Sequence, residues 1–189
     1  MDIKIEKTEL LSDDAYPLRK VTYRYLDPGG RAQVQDREVY ERGDAAVILL
    51  YNTEMKSVIL TRQFRLPPFL RHAETMLTEA CAGKLDGESP DAAVKRECLE
   101  ETGYRVQTVQ KVMEAYTSPA CLTELMHFYI APYDPAMKVA EGGGLEEEQE
   151  FIEVLEMPYE QALQLMRQGR IRDAKTIILL QYLRLHGIL

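Results

Sequence analysis

Three glutamates close together carry the strongest chemical signal in the chain. Glu97, Glu100 and Glu101 lie within Arg96-Glu97-Cys98-Leu99-Glu100-Glu101-Thr102-Gly103. On a helix that advances about 100° per residue they fall within a sector of roughly 100°. Carboxylates at this spacing repel one another by roughly a few tenths of a kcal/mol per pair on an exposed face. A hard divalent cation among them relieves that repulsion, and an all-oxygen set suits Mg²⁺ or Mn²⁺ rather than Zn²⁺. An acidic helix face is otherwise an ordinary solvated surface. Here Val94 and Cys98 flank the acidic sector and Leu99 lies opposite it, so the helix has no clean polar face. The helix also follows a glycine-bearing loop, residues 83–89, which lets backbone approach a ligand closely.

The neighbouring sequence supplies the elements that must position these groups. Ser89 and Pro90 are a helix-start pair, and Gly103 suits the position just past the helix end. Residues 45–51 (AAVILLY) form an unbroken apolar run, the pattern of a strand buried on both faces. A turn over 52–56 leads to a strand over 57–64, giving a hairpin, and Pro67-Pro68 breaks regular structure. Residues 76–80, 106–116, 126–131 and 152–155 read as further strands, and 159–167 and 173–185 as helices. At the N-terminus, residues 21–26 and 32–40 read as strands joined by Asp27-Pro28-Gly29-Gly30. This order predicts an α/β (α+β) domain over 43–189, preceded by a β-subdomain over 1–42.

Composition narrows the function classes. The chain has 189 residues, enough for one domain with an extension, and it is 46% hydrophobic and 29% charged. Its formal net charge of −8 lacks the footprint of a nucleic-acid binder and disfavours an anionic membrane surface. An anionic substrate would need a local cluster of cations to overcome the global field. Cys81, Cys98 and Cys121 are odd in number and not at metal-ligand spacing, so reduced thiols and a cytoplasmic location are expected. The N-terminus has no apolar signal core, and no apolar run approaches the roughly 20 residues that span a bilayer. There is no phosphate-binding Gly-x4-Gly-Lys-Ser/Thr loop and no Gly-x-Ser-x-Gly elbow. His72, His127 and His186 are isolated from one another in sequence.

The stretch GKLDGESPDAAVKRECLEETGY, residues 83–104, resembles the Nudix box, Gly-x5-Glu-x7-Arg-Glu-U-x-Glu-Glu-x-Gly-U, where U is a bulky apolar residue. The second half matches from Arg96 to Tyr104. The first half is one residue short, with four residues between Gly83 and Glu88. That shortening is similar to the GDP-mannose pyrophosphatase branch of the Nudix superfamily. Arg37-Glu38-Val39-Tyr40, Arg62-Gln63-Phe64-Arg65, Leu122-Thr123-Glu124, Gly142-Gly143-Gly144 and Asp173 with Lys175-Thr176 extend the resemblance over most of the chain. It implies the Nudix fold, a mixed β-sheet sandwiched between helices, with an N-terminal antiparallel β-subdomain. The implied reaction is Mg²⁺-dependent hydrolysis (Mn²⁺ as substitute) of the pyrophosphate bond of a nucleoside diphosphate sugar. GDP-mannose would give GMP and mannose 1-phosphate. ADP-ribose or an ADP-sugar is the alternative substrate, and a non-catalytic nucleotide-binding module the alternative class.

The resemblance also implies roles. The metal ligands are the carbonyl of Ala82 and the carboxylates of Glu97, Glu100, Glu101 and Glu150. Glu101, Glu150 and Glu148 are the catalytic candidates, with either loop glutamate open as the base that orients or deprotonates water. Arg65 would grip the diphosphate, since a planar guanidinium binds phosphate oxygens through two parallel hydrogen bonds. It is expected on one strand with Arg62, facing the other way. Gly83, Glu124 and Lys175 match substrate-contact positions. Arg37 and Glu38 would read the base or sugar, and Tyr16 would stack on the base. The branch forms a homodimer in which the N-terminal subdomain of one subunit reaches the site of the other. A monomer-forming change in that subdomain is therefore expected to raise KM, and a monomer with unchanged KM counts against a cross-subunit site.

Overall fold

The computed structural model describes residues 2–72, 75–145, 147 and 149–189. The chain divides into two compact units, Met1–Asp44 with Tyr116–Leu125, and Ala45–Ala115 with Met126–Leu189.

The first unit is built on a three-stranded antiparallel sheet. Its strands β1 (Ile3–Asp13), β2 (Pro17–Leu26) and β3 (Ala32–Tyr40) are hydrogen-bonded in that order. The β2–β3 turn forms as its sequence dictates. The Asp27 carboxylate accepts hydrogen bonds from the Gly29 and Arg31 amides, each at 2.9 Å, and Gly30 takes φ +76°. Strand β1 has no counterpart among the expected elements. Every one of its residues except Glu9 is exposed, Ile3, Ile5, Leu10 and Leu11 included, and the alternation that begins at Ile3 and Ile5 lapses at Lys7, so the pattern is too short to mark a strand. It is held by pairing with β2, in a register broken by irregularities at Ile5/Lys7 and Leu10/Ser12. The segment 116–125 joins this unit through backbone: the Tyr40 amide donates to the Cys121 carbonyl at 2.8 Å, and the Leu125 amide to Asp44 at 3.0 Å.

The second unit is organised by β4 (Ala45–Asn52), whose first six residues are buried. It pairs in parallel with β9 (Leu125–Pro132), and antiparallel with β5 (Ser57–Gln63) and β7 (Cys81–Lys84). Strands β10 (Glu153–Pro158) and β8 (Gln110–Tyr116) complete the order β10-β5-β4-β9-β8, and β6 (Leu77–Glu79) pairs with β5. Alternate residues of β4 serve opposite faces. Val47 and Leu49 join Ala162 and Leu163 of α3 (Tyr159–Arg167) and Leu179, Leu180 and Leu183 of α4 (Ala174–Leu185). Ala46, Ile48 and Leu50 join Val94 and Cys98 of α2 (Pro90–Thr102). The result is a mixed sheet between helices, as expected. No helix among the described residues is long and apolar enough to cross a membrane.

Three local expectations change. Residues 67 and 68 do not interrupt structure but sit in the first turn of α1 (Leu66–His72), where a missing N–H costs no helical hydrogen bond. Strand β5 ends at Gln63, so Arg65 lies on the link to α1 rather than on one strand with Arg62. Gly83, placed in the loop by the sequence, is the third residue of β7.

Gly103 takes φ +77° and its amide closes α2 onto the Leu99 carbonyl, while a Cβ there would lie 2.0 Å from the Ala140 carbonyl oxygen. Gly169 has φ +68° with nothing within 4 Å of a Cβ. Gly169→Ala is expected to cost about 1–2 kcal/mol, the left-handed backbone alone. Gly103→Ala is expected to cost more, because backbone must also move. Urea unfolding of both variants checks the order, and equal losses would contradict it.

Candidate active site

The acidic helix starts as its sequence predicts. Ser89 accepts the Ala92 amide at 3.3 Å and Pro90 opens the first turn. Two core residues, Val94 and Cys98, pin one side of α2 to the sheet and carry Glu101 inward with them. Glu101 is only 3% exposed. The backbone of β7 runs close alongside. The Ala82 amide donates to Glu101 Oε2 at 3.3 Å, and a Cβ on Gly83 would lie 1.9 Å from Glu97 Cδ. Only glycine admits the Glu97 carboxylate here.

The glycine-rich loop docks on the C-terminal end of the same helix. The Gly143 amide donates to the Glu101 carbonyl at 2.9 Å, and the Gly144 amide to that of Glu100 at 3.1 Å. These satisfy carbonyls that a helix end leaves without partners. A Cβ on Gly142 would lie 2.6 Å from the Glu101 carbonyl oxygen, and one on Gly144 would lie 2.6 Å from Glu150 Oε2. The run of glycines thus permits an approach that brings Glu150 into the electrostatic field of Glu97 and Glu101. Glu148 lies outside the described residues.

Burial pushes the Glu101 carboxyl up to about 8; a hydrogen bond from the Cys81 thiol opposes this, and the charges of Glu97 and Glu150 add to it. Burial also raises Glu97, against the pull of Arg96 and with the push of Glu100. Arg96 is the counter-charge. It reaches Glu88 at 3.0 Å, Glu97 at 3.0 Å and Glu100 at 2.9 Å. Burial favours its neutral form, but these carboxylates outweigh that and hold it above its ordinary value. Among the described residues, no three acidic, histidine or cysteine side chains already converge on one point. The donors nevertheless fit a hard divalent ion. They are oxygen only, like-charged, and drawn partly out of water around a carboxyl that burial holds protonated near neutral pH.

A second cluster lies where β5, β6 and α4 meet. Glu79, 3% exposed, accepts Arg65 Nε at 2.8 Å and Lys175 Nζ at 2.7 Å. Lys175 also reaches Asp173 at 2.8 Å. Asp173 caps α4 by accepting the Thr176 amide at 2.9 Å and the Thr176 hydroxyl at 2.5 Å, and that hydroxyl accepts the Ala80 amide at 2.7 Å. Glu79 lies three residues before Ala82, whose amide meets Glu101, so this cluster adjoins the acidic one, and the charge on Arg65 lowers the Glu101 carboxyl against burial. Arg62 instead pairs with Glu153 at 2.5 Å on the exposed side of β5.

The other expected site residues belong to the first unit. Glu124 is buried, paired with Arg42 at 3.1 Å and near the Thr117 hydroxyl at 3.4 Å. Arg37 donates to the Gln35 side chain at 2.8 Å and to the Asp36 carbonyl at 2.7 Å. Glu38 stands opposite Lys20 across β2–β3. Tyr16 packs edge-on against Tyr40, with ring centres 5.7 Å apart. Sequence reasoning missed Glu79, although one clue was available: it is the lone acidic residue in the stretch Met76-Leu77-Thr78-Glu79-Ala80-Cys81. Arg42-Gly43 belongs to the segments that carry the resemblance, but the pairing of Arg42 with Glu124 is not visible in sequence.

A raised Glu101 has a signed consequence. Between its ordinary value of 4.5 and about 8 the folded chain binds a proton that the unfolded chain has released. Stability of the metal-free protein therefore falls as pH rises through that window. In EDTA, Glu101→Gln is expected to raise Tm relative to the parent more at pH 8 than at pH 5. An equal difference at both values would contradict the buried, protonated carboxyl.

Comparison with known proteins agrees with this geometry. Residues 41–180 match the NUDIX domain family, and residues 2–40 match the GDP-mannose pyrophosphatase NudK N-terminal domain. The chain is 49% identical to a GDP-mannose pyrophosphatase of Cronobacter sakazakii, over 100% of this chain and 98% of that one. It is 46% identical to one of Yersinia enterocolitica, over 100% of both chains. It is 48% identical to one of Yersinia pestis, over 98% of this chain and 94% of that one. Nudix hydrolases generally use divalent metals. With the family's domain covering most of its length and its acidic helix folded against a glycine-bearing strand, the chain belongs to the Nudix family.

Proposed function

We propose that this chain hydrolyses the pyrophosphate bond of a nucleoside diphosphate sugar, with GDP-mannose as substrate and Mg²⁺ as the metal. The observation that carries the reading is a like-charged oxygen set on α2, with Glu101 buried and Glu97 and Glu100 half-buried, adjoining the Arg65–Glu79–Lys175 cluster. One cluster suits a divalent cation and the other suits phosphate oxygens. The full-length similarity to GDP-mannose pyrophosphatases supports the choice of substrate.

Glu97, Glu100, Glu101, Glu150 and the Ala82 carbonyl would hold the metal. When bound, Mg²⁺ neutralises diphosphate charge and lowers the pKa of water. The chain's own groups do the rest. Arg65 binds diphosphate oxygens through its guanidinium, and Lys175 adds a second positive charge. A loop carboxylate, on Glu150 or Glu148, takes the proton from the attacking water. The water oxygen bonds to phosphorus, the bridging P–O bond breaks, and the products are GMP and mannose 1-phosphate. Gly83 lets backbone lie against the site without a side chain. Arg37, Glu38 and Tyr16 read the base from a second copy of the chain in a homodimer, and Glu124 contacts substrate. The N-terminal match over residues 2–40 supports this part. The three free cysteines fit a reducing, cytoplasmic setting.

The test is phosphate release in a coupled phosphatase assay from GDP-mannose, ADP-ribose and ADP-glucose, with Mg²⁺ and then with EDTA. Preference for GDP-mannose, lost in EDTA and lowered by orders of magnitude in a folded Glu101→Gln variant, is expected. Preference for ADP-ribose would overturn the substrate, and no turnover would favour a binding module. Turnover of Glu101→Gln within tenfold of the parent would overturn the role of that carboxylate.

A further inference from the structure

Glu79 is a buried carboxylate that the proposed reaction does not use. It is one of the least exposed charged residues in the second unit, and both of its oxygens are engaged by cations from different elements. Oε2 accepts Arg65 Nε at 2.8 Å, from the link before α1; Oε1 accepts Lys175 Nζ at 2.7 Å, from the first turn of α4. Its own position is fixed by strand pairing. Glu79 lies opposite Thr61 on β5, whose hydroxyl donates to the Glu79 carbonyl at 3.3 Å. Lys175 has a second anchor in Asp173, whereas among the described residues Glu79 is the sole hydrogen-bond partner of the Arg65 side chain.

That bond uses Nε alone. The guanidinium carries five N–H donors, and among the described residues its two terminal amino groups make no hydrogen bond. The side chain of Arg65 is 38% exposed against 4% for Glu79, so the bond ties a partly solvent-accessible guanidinium to a buried carboxylate. The formal charges of Arg65, Lys175, Glu79 and Asp173 cancel. The cluster therefore attracts an anion by the direction of its N–H groups rather than by net charge. A long arginine side chain loses rotamer freedom when it grips a ligand, and fixing it beforehand removes that cost from binding.

We infer that Glu79 is a positioning residue: it holds Arg65 and Lys175 as a preformed cation pair for the diphosphate group of a nucleoside diphosphate ligand. The inference rests on the proposed site reading but not on catalysis by it. Its signature is coupling. If Glu79 acts through Arg65, then once Arg65 is gone, loss of Glu79 has little left to disturb.

The experiment is calorimetric titration of the full chain with GDP in Mg²⁺, for the parent, Glu79→Gln, Glu79→Asp, Arg65→Ala and the Glu79→Gln/Arg65→Ala double variant. Tm is recorded for each. Glu79→Gln is expected to weaken GDP binding at least tenfold. The double variant is expected to bind within about threefold of Arg65→Ala. Glu79→Asp keeps the charge but not the reach to both cations. It is expected to bind at least threefold more weakly than the parent, and it carries the test if the Gln variants do not fold. Parent-like binding by Glu79→Asp, additive losses in the cycle, or a parent that does not bind GDP would each overturn the inference. Coupled losses in a chain that hydrolyses no nucleotide sugar would leave the inference standing and remove the proposed reaction. Hydrolysis with additive losses would do the reverse.

Discussion

Glu101 is a carboxyl taken out of water next to other carboxylates, and much of the second unit is arranged around that cost. An isolated buried carboxylate is expensive enough that a protein either protonates it or pairs it. Here burial drives the group toward its neutral form, and the charges of Glu97 and Glu150 push the same way. What keeps Glu101 inside is the packing of its own helix. Val94 and Cys98 are fully buried against Ile48 and Tyr129 of the sheet, and at helical spacing they leave Glu101 facing the β7 backbone. Stability gained by apolar burial on one side of α2 thus sustains an electrostatic liability on the other. A bound cation would convert that liability into affinity.

Two arginines divide the task of limiting the cost. Arg96 sits among Glu88, Glu97 and Glu100 and offsets the outer part of the cluster. The charge on Arg65 favours the ionised form of Glu101 while Arg65 stays tied to Glu79. The two differ in what they leave open. Arg96 is used up on four carboxylates of its own helix and the preceding loop, Asp86, Glu88, Glu97 and Glu100. Arg65 spends Nε on Glu79, and among the described residues its other nitrogens make no hydrogen bond. Neighbouring regions thus hold one arginine engaged by several carboxylates and one bonded through Nε alone.

Much of this was legible in the sequence because it is local. The caps of α2, the apolar run of β4 and the turn at 27–30 depend on adjacent residues, and each forms as expected. The acidic sector on α2 is likewise a matter of helical spacing. What escaped depends on partners distant along the chain. Glu79 gains its meaning from Lys175, 96 residues away, and Glu124 from Arg42, 82 residues away. Strand β1 buries neither face, and its alternation at Ile3 and Ile5 lapses at Lys7, so the periodicity that reveals strands is too brief there. The sequence places Arg65 on one strand with Arg62, but β5 stops at Gln63 and the chain turns into α1.

The glycines tie the local and distant parts together. Gly83 and Gly144 are far apart in sequence, yet each lies where a Cβ would strike a site glutamate, at 1.9 Å from Glu97 Cδ and 2.6 Å from Glu150 Oε2. Gly103 and Gly142 stand against one another's segments at the end of α2, where Cβ atoms would meet backbone at 2.0 Å and 2.6 Å. None of these contacts is a turn requirement alone. Each removes a side chain so that a loop or strand can close on the acidic helix, and the gain is density of oxygen donors. Longer side chains reaching in from greater distance would lose more conformational freedom for the same donors. A site that concentrates negative charge in little space is therefore written in the sequence as much by its glycines as by its glutamates.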